Sequence, residues 1–181
     1  MIIEKLLPQE LEDAVHKLMM SKSFPWQWNS ENIVPATPDK DIFQMTHVFY
    51  LQRKVWSPHF NLVNAMVGYF VEKTGLKIKR VVRIKGNLLP NIAHTEASLE
   101  NLIHTDMDIF NPANFVSFVY YVTDSDGDTT VFNDDGKTVV LTSSPKKGNC
   151  VWFNSKTTHR SAVPKNYKRR VVINFILELD L

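Results

Sequence analysis

Three residues in the second half of the chain have the types and spacing of a metal site. His104-Thr-Asp106 puts an imidazole and a carboxylate at i and i+2, and extended backbone projects such a pair to one face. His159 follows the strand-like stretch Asn149-Cys-Val-Trp-Phe-Asn154, where a sheet closing on itself would return it to the first two. Two imidazoles and one carboxylate suit Fe(II) gripped on one side, with positions left open for a co-substrate and O2. Zinc favours a more closed, tetrahedral set. Alone, the His-x-Asp pair is a weak motif, because surface turns produce it by chance.

Elements that could position these ligands are legible in the hydrophobic pattern. From about Arg80 the period is 2, and β-branched and aromatic residues dominate, which predicts strands at 79–89, 114–122, 129–133, 138–142, 149–154 and 169–178. Asp124-Ser-Asp-Gly-Asp128 and Asp134-Asp-Gly136 read as turns between them. Three strands carry one apolar face and one face with polar groups in mid-strand. In 79–89 the polar set is Arg83, Lys85 and Asn87; in 114–122 it includes Ser117 and Tyr121; in 169–178 it includes Arg170 and Asn174. A solvated sheet face explains such a pattern, and so does a polar cavity; the ligand spacing favours the cavity.

The first half reads as helical. Leu11, Val15, Leu18 and Met19 recur at helical spacing after Pro8, and Phe60, Val63, Val67, Phe70 and Val71 do so between a Ser57-Pro58 start and a Gly75 stop. A loop over 24–41 separates the two, with Trp26 and Trp28 as lid residues. The expected fold is α+β, mainly β: a double-stranded β-helix (jelly-roll, cupin-like barrel) with the N-terminal helices packed on the major sheet. Residues 1–181 read as one domain, with helical support over about 1–78 and a jelly-roll core over about 79–181.

Composition narrows the classes. The 181 residues carry 21 Lys+Arg against 19 Asp+Glu, a formal net charge of +2, which lacks the basic footprint of a nucleic-acid binder. A single cysteine, Cys150, excludes an internal disulfide framework and fits a reducing cytoplasm. The opening Met1 to Pro8 has no signal-peptide pattern, and no apolar run approaches ~18 residues, so a cytoplasmic protein off the membrane is expected.

Taken together, His104-Thr-Asp106, His159 and Arg169-Arg-Val-Val-Ile-Asn-Phe175 resemble the Fe(II)/2-oxoglutarate-dependent oxygenases, in their prolyl-4-hydroxylase-like branch. The resemblance covers about Arg80 to Glu178. It includes Gly127-Asp-Thr-Thr-Val-Phe132, similar to the family's Gly-Gly-Glu-Thr-x-Phe segment, the tyrosine-bearing Phe118-Val-Tyr-Tyr-Val122, and Lys146-Lys-Gly-Asn-Cys-Val-Trp-Phe153. It implies Fe(II) on His104, Asp106 and His159, and 2-oxoglutarate with its far carboxylate on an arginine of the last strand. The guanidinium fork matches a carboxylate better than lysine does. Arg170 and Arg169 compete for that role. Alternation favours Arg170, which shares a face with Asn174. Tyr121 is the expected second partner of the carboxylate, and Asn174 is expected to line the same end.

The resemblance departs at Leu89, where a tyrosine is usual; the polar contact it would make is either absent or supplied by Lys85 or Asn87. Asp128 stands for the usual glutamate. His94-Thr-Glu96 is a rival ligand pair, but it lies in a polar loop with no adjoining strand. His16, His47 and His59 are assigned no role. The basic run 165–170 reads as a solvated strand entry. The implied activity is hydroxylation of a C–H bond in a peptidyl (including prolyl) or small-molecule substrate, with succinate and CO2 as co-products. A cupin-like protein that binds a metal or small acid without turnover is the alternative.

Overall fold

A computed structural model of the protein describes residues 1–29, 43–92, 103–106 and 114–180. The elements in chain order are β1 (Ile2–Ile3), α1 (Gln9–Met19), β2 (Gln27–Asn29), β3 (Gln44–Leu51), β4 (Lys54–Val55), α2 (Phe60–Thr74), β5 (Ile78–Pro90), β6 (Phe115–Tyr121), β7 (Thr129–Phe132), β8 (Val139–Ser143), β9 (Cys150–Asn154), β10 (His159–Ser161) and β11 (Arg169–Leu179). An eight-stranded antiparallel sheet runs β1-β9-β6-β11-β5-β3-β2, with β4 beside β3, and a three-stranded sheet runs β10-β7-β8. This is the expected double-stranded β-helix. Among the described residues, no helix is long and apolar enough to cross a membrane.

The strict alternation of β5, β6 and β11 divides the fold into two cores. Ile84, Phe118, Tyr120, Ile173 and Phe175 project from the outer face of the large sheet and bury Val15 and Met19 of α1 and Val63, Met66 and Phe70 of α2. Phe70, Phe118 and Phe175 form a continuous stack with centroid spacings of 4.4 and 4.0 Å. Each such side chain contributes about 1.5–3 kcal/mol on burial. A smaller core of Val119, Tyr121, Val131, Val151, Phe153 and Val172 lies on the inner face, between the sheets. The helices thus cover the large sheet from behind, while its inner face is shared between this smaller core and polar groups.

Three features differ from the sequence reading. The first half is not wholly helical, since β3 joins β5 as a full strand of the large sheet. Ser57-Pro58 does not start α2, which begins at Phe60. The Ser57 side chain is instead spent on His47 Nε2 (2.9 Å) and on accepting the His59 backbone N–H (3.2 Å). Gly75 does end α2, in the left-handed conformation that glycine adopts without strain (φ 69°). Trp26 is no lid: its ring packs against the helix-side core and its Nε1 donates to the Met19 carbonyl. Trp28 is exposed and stacks on Phe43.

Candidate metal centre and its cavity

The ligand geometry follows from strand pairing. His104 and His159 are directly opposed in an antiparallel bridge, each N–H donating to the other's carbonyl at 2.9 Å. Opposed residues share a face, and their imidazole centroids lie 4.4 Å apart. Asp106, two residues on, projects to the same side, and its backbone N–H donates to the Ser155 carbonyl at 3.2 Å. One ligand atom from each of His104, Asp106 and His159 lies within 4.8 Å of the others, so the three can close on one cation.

Their surroundings fix protonation and aim. Nδ1 of His159 lies 2.9 Å from the Thr157 carbonyl, which only accepts, so this nitrogen carries the proton and Nε2 presents a lone pair. Burial pushes the His159 imidazole down to about 4, against the pull of Asp106, which keeps it neutral at pH 7. Burial would raise the Asp106 pKa, but Arg83 above all, with His159, Ser117 and His104, holds the carboxyl well below the usual carboxylate range. Arg83 Nη2 donates to Asp106 Oδ1 at 2.7 Å, and Asn174 Nδ2 lies 3.2 Å from Oδ2. The same Arg83 nitrogen donates to Asn174 Oδ1 at 3.2 Å. An ionised carboxylate and a neutral imidazole, each oriented by a second contact, are ready for a hard or borderline divalent ion.

The triad opens into a cavity of about 300 Å³, at the lower end for a small-molecule site. Arg83, Lys85, Asn87 and Leu89 of β5, Val119 of β6, Thr129 of β7, and Arg170, Val172 and Asn174 of β11 line it. Arg170 is 2% exposed. Its Nε donates to the Gly127 carbonyl at 2.8 Å and its Nη2 to Thr129 Oγ1 at 2.7 Å. No carboxylate pairs with it among the described residues. A buried guanidinium whose hydrogen bonds go to neutral acceptors, with the Asp128 carboxylate acting on it only at longer range, is suited to receive an anion. Gly127 permits the arrangement, because a Cβ there would press into the Ala162 carbonyl oxygen and approach Arg170 Cδ to 3.0 Å.

The sequence-based candidates fall as follows. His104, Asp106 and His159 come together. Arg170 faces the cavity and Arg169 is exposed. Tyr121 is not in the cavity wall: it is fully buried behind Thr129, its hydroxyl 3.0 Å from Thr129 Oγ1 and 3.2 Å from the Ser143 carbonyl. Asn174 belongs to the Asp106 end rather than the Arg170 end, since four residues of strand separate it from Arg170 by about 13 Å. Asp126 closes its turn onto the strand entry, accepting the backbone N–H groups of Lys165 and Asn166. His94 and Glu96 lie outside the described residues. Sequence reasoning missed Arg83 as the partner of Asp106 and Thr129 as the partner of Arg170. Only the face of Arg83 was readable, from its alternation with Lys85 and Asn87.

Comparisons with known proteins agree with this geometry. Residues 91–178, which include the three candidate ligands and Arg170, match the family model of the 2OG-Fe(II) oxygenase superfamily. Among solved structures, a prolyl-4-hydroxylase of Pseudomonas putida aligns with a TM-score of 0.63 at 14% identity, covering 100% of this chain and 92% of that one. A 2OG-Fe(II) oxygenase family oxidoreductase of Burkholderia pseudomallei aligns with a TM-score of 0.71 at 12% identity, covering 98% and 84%. A Trichoplax adhaerens prolyl hydroxylase, in complex with a hypoxia inducible factor peptide fragment, gives 0.67 at 12%, covering 99% and 83%. No curated protein matches the chain.

Proposed function

We propose that this chain, whose residues 91–178 match the family model of the 2OG-Fe(II) oxygenase superfamily, is a 2-oxoglutarate-dependent Fe(II) dioxygenase in which His104, Asp106 and His159 hold the iron and Arg170 the far carboxylate of 2-oxoglutarate. The bound iron supplies O2 activation coupled to oxidative decarboxylation of 2-oxoglutarate to succinate and CO2, with hydroxylation of a substrate C–H bond. The donor set fits: two imidazoles and one ionised carboxylate on one side of the ion leave the other side for co-substrate and O2.

The chain's own residues do the positioning. The Thr157 carbonyl fixes the His159 tautomer, and Arg83 with Asn174 holds the Asp106 carboxylate in one orientation. Thr129 stands two residues from Val131, the β7 partner of His159, a distance of about 7 Å along the strand. That is the scale of a five-carbon diacid laid between the iron and Arg170. Thr129 Oγ1 accepts from Arg170, and its own proton is available to the same carboxylate. Leu89, Val119 and Val172 line the cavity with apolar surface that limits water around the reacting groups.

The single observation that carries this reading is Arg170, a buried cation that hydrogen-bonds to no carboxylate among the described residues, in the cavity that holds the triad. Its substrates are peptidyl or small molecules, and prolyl hydroxylases are among its structural neighbours. We read residues 1–181 as one domain acting in a reducing cytoplasm, which suits the free, buried Cys150, without nucleic acid as a partner.

The test is 2-oxoglutarate turnover to succinate with Fe(II) and a substrate panel. Wild type turns over, while His104→Ala and Arg170→Ala lose most of the rate with unchanged circular dichroism. Full turnover by His104→Ala would remove that residue from the metal site.

A further inference from the structure

One side of the cavity carries polar side chains to which the reading above gives no role. Lys85 lies on the inner face of β5, opposite Asn174 of β11 and Val48 of β3. It lines the cavity but makes no hydrogen bond or ion pair among the described residues. The carboxylate nearest in kind, Asp106, is already taken by Arg83 and Asn174. Burial, reinforced by Arg83, lowers the Lys85 ammonium to about 8.

We propose that this side of the cavity seats an amino-acid-like substrate, its free carboxylate on Lys85 and an adjacent N–H on Asn87. The inference rests on the iron and 2-oxoglutarate reading above and names the substrate class for it.

Charge carries the first half. Three side-chain cations, Arg83, Lys85 and Arg170, face one carboxylate, Asp106, in the cavity wall. A divalent ion and a dianionic co-substrate sum to zero, so these groups together keep two positive charges in excess; Arg83 is met by Asp106, and Arg170 sits beside the far carboxylate. Among the described residues Lys85 pairs with no carboxylate and feels Asp106 only at a distance, and in a partly desolvated wall an anion gains most by meeting it. Position excludes the far carboxylate of 2-oxoglutarate as that anion. Lys85 pairs with Asn174 at the triad end, about 13 Å of strand from Arg170.

The second half comes from Asn87, one pleat along β5 on the same face. Its Oδ1 is buried with no hydrogen-bond partner among the described residues. A carbonyl oxygen only accepts, so a ligand that satisfies it brings a donor, N–H or O–H, and beside a carboxylate the α-nitrogen of an amino acid or peptide end supplies one. A cation and an acceptor side by side describe a carboxylate with a nitrogen close to it. Gln44 and Asn29 continue the polar wall at the β3 and β2 side, and a cavity of about 300 Å³ suits a small group beside the co-substrate. A free amino acid and the C-terminal residue of a peptide share this chemistry.

The experiment uses protein loaded anaerobically with Mn(II) and 2-oxoglutarate, so that binding is read without turnover. Calorimetry and thermal shift are recorded with each L-amino acid, its primary amide, a dipeptide ending in the best residue, and that dipeptide's amide. At least one acid is expected to bind about tenfold or more tightly than its amide. Lys85→Met erases that preference, Lys85→Arg retains part of it, and 2-oxoglutarate affinity stays within about twofold. The free acid exceeding the dipeptide assigns a metabolite; the reverse assigns a peptide end. Equal binding of acids and amides, or no binding by any of them, overturns the proposal. So does a tenfold loss of 2-oxoglutarate affinity in Lys85→Met, which would give this lysine to the co-substrate. Wild type that fails to bind 2-oxoglutarate at all is the separate failure of the iron and 2-oxoglutarate reading.

Discussion

Replacing Lys85 by methionine in the metal-free protein should raise its stability at neutral pH, and the gain should disappear in alkali. An ammonium whose pKa falls from 10.5 to about 8 on folding is penalised in the folded state by at most about 3 kcal/mol. Below pH 8 it is charged in both states and the whole penalty applies. Between pH 8 and 10.5 the unfolded chain binds the extra proton, so stability rises with pH and the penalty drains away. Methionine keeps the aliphatic packing of the lysine stem without the charge. Urea unfolding at pH 7 should therefore shift to a midpoint about 1–2 M higher, with the two proteins converging above pH 10.5. A variant that is less stable than wild type at pH 7, or a difference independent of pH, would refute the picture of an unmatched buried cation.

The remaining predictions concern the neighbouring groups. Gly127→Ala should raise the 2-oxoglutarate Kd about tenfold or more, measured by calorimetry on metal-loaded protein, because the new Cβ displaces Arg170 from the Gly127 carbonyl. Arg83→Met removes a charge-assisted contact to a buried carboxylate, so the metal-free protein should lose about 3 kcal/mol of stability. Metal affinity should fall 10–100-fold in the same variant. His159, whose pKa burial lowers from 6.5 to about 4, binds its proton more readily unfolded. Stability of the metal-free protein should therefore drop by about 3 kcal/mol as pH falls from 6.5 to 4. His159→Gln should flatten that part of the profile.

The parts of this fold that were legible in the sequence are those where a short-range rule decides the outcome. Alternation in β5, β6 and β11 separated most of the helix-facing set from the inner-face set, and put Arg170 rather than Arg169 on the cavity face, because a strand has no third direction. The i, i+2 spacing put His104 and Asp106 on one face for the same reason. β3 was not legible. Its inner face meets a polar cavity, so Gln44 and Thr46 give no apolar period, and a register shift between Val48 and Tyr50 breaks what alternation remains. Ser57-Pro58 misled because the serine hydroxyl had a tertiary partner, His47, that no local rule contains. Arg83 against Asp106, and Tyr121 hidden behind Thr129, depend on how far side chains reach across paired strands, which the one-dimensional pattern does not encode.

The central claim is that His104, Asp106 and His159 bind iron in a cavity whose other end, at Arg170, takes 2-oxoglutarate. It is tested most directly by adding Fe(II) and then 2-oxoglutarate to the purified protein without oxygen and recording the visible spectrum. The account predicts the charge-transfer band of the chelate in wild type, its loss in Asp106→Ala, and a several-fold higher 2-oxoglutarate requirement in Arg170→Ala. Iron binding by wild type with no band at any 2-oxoglutarate concentration would contradict it.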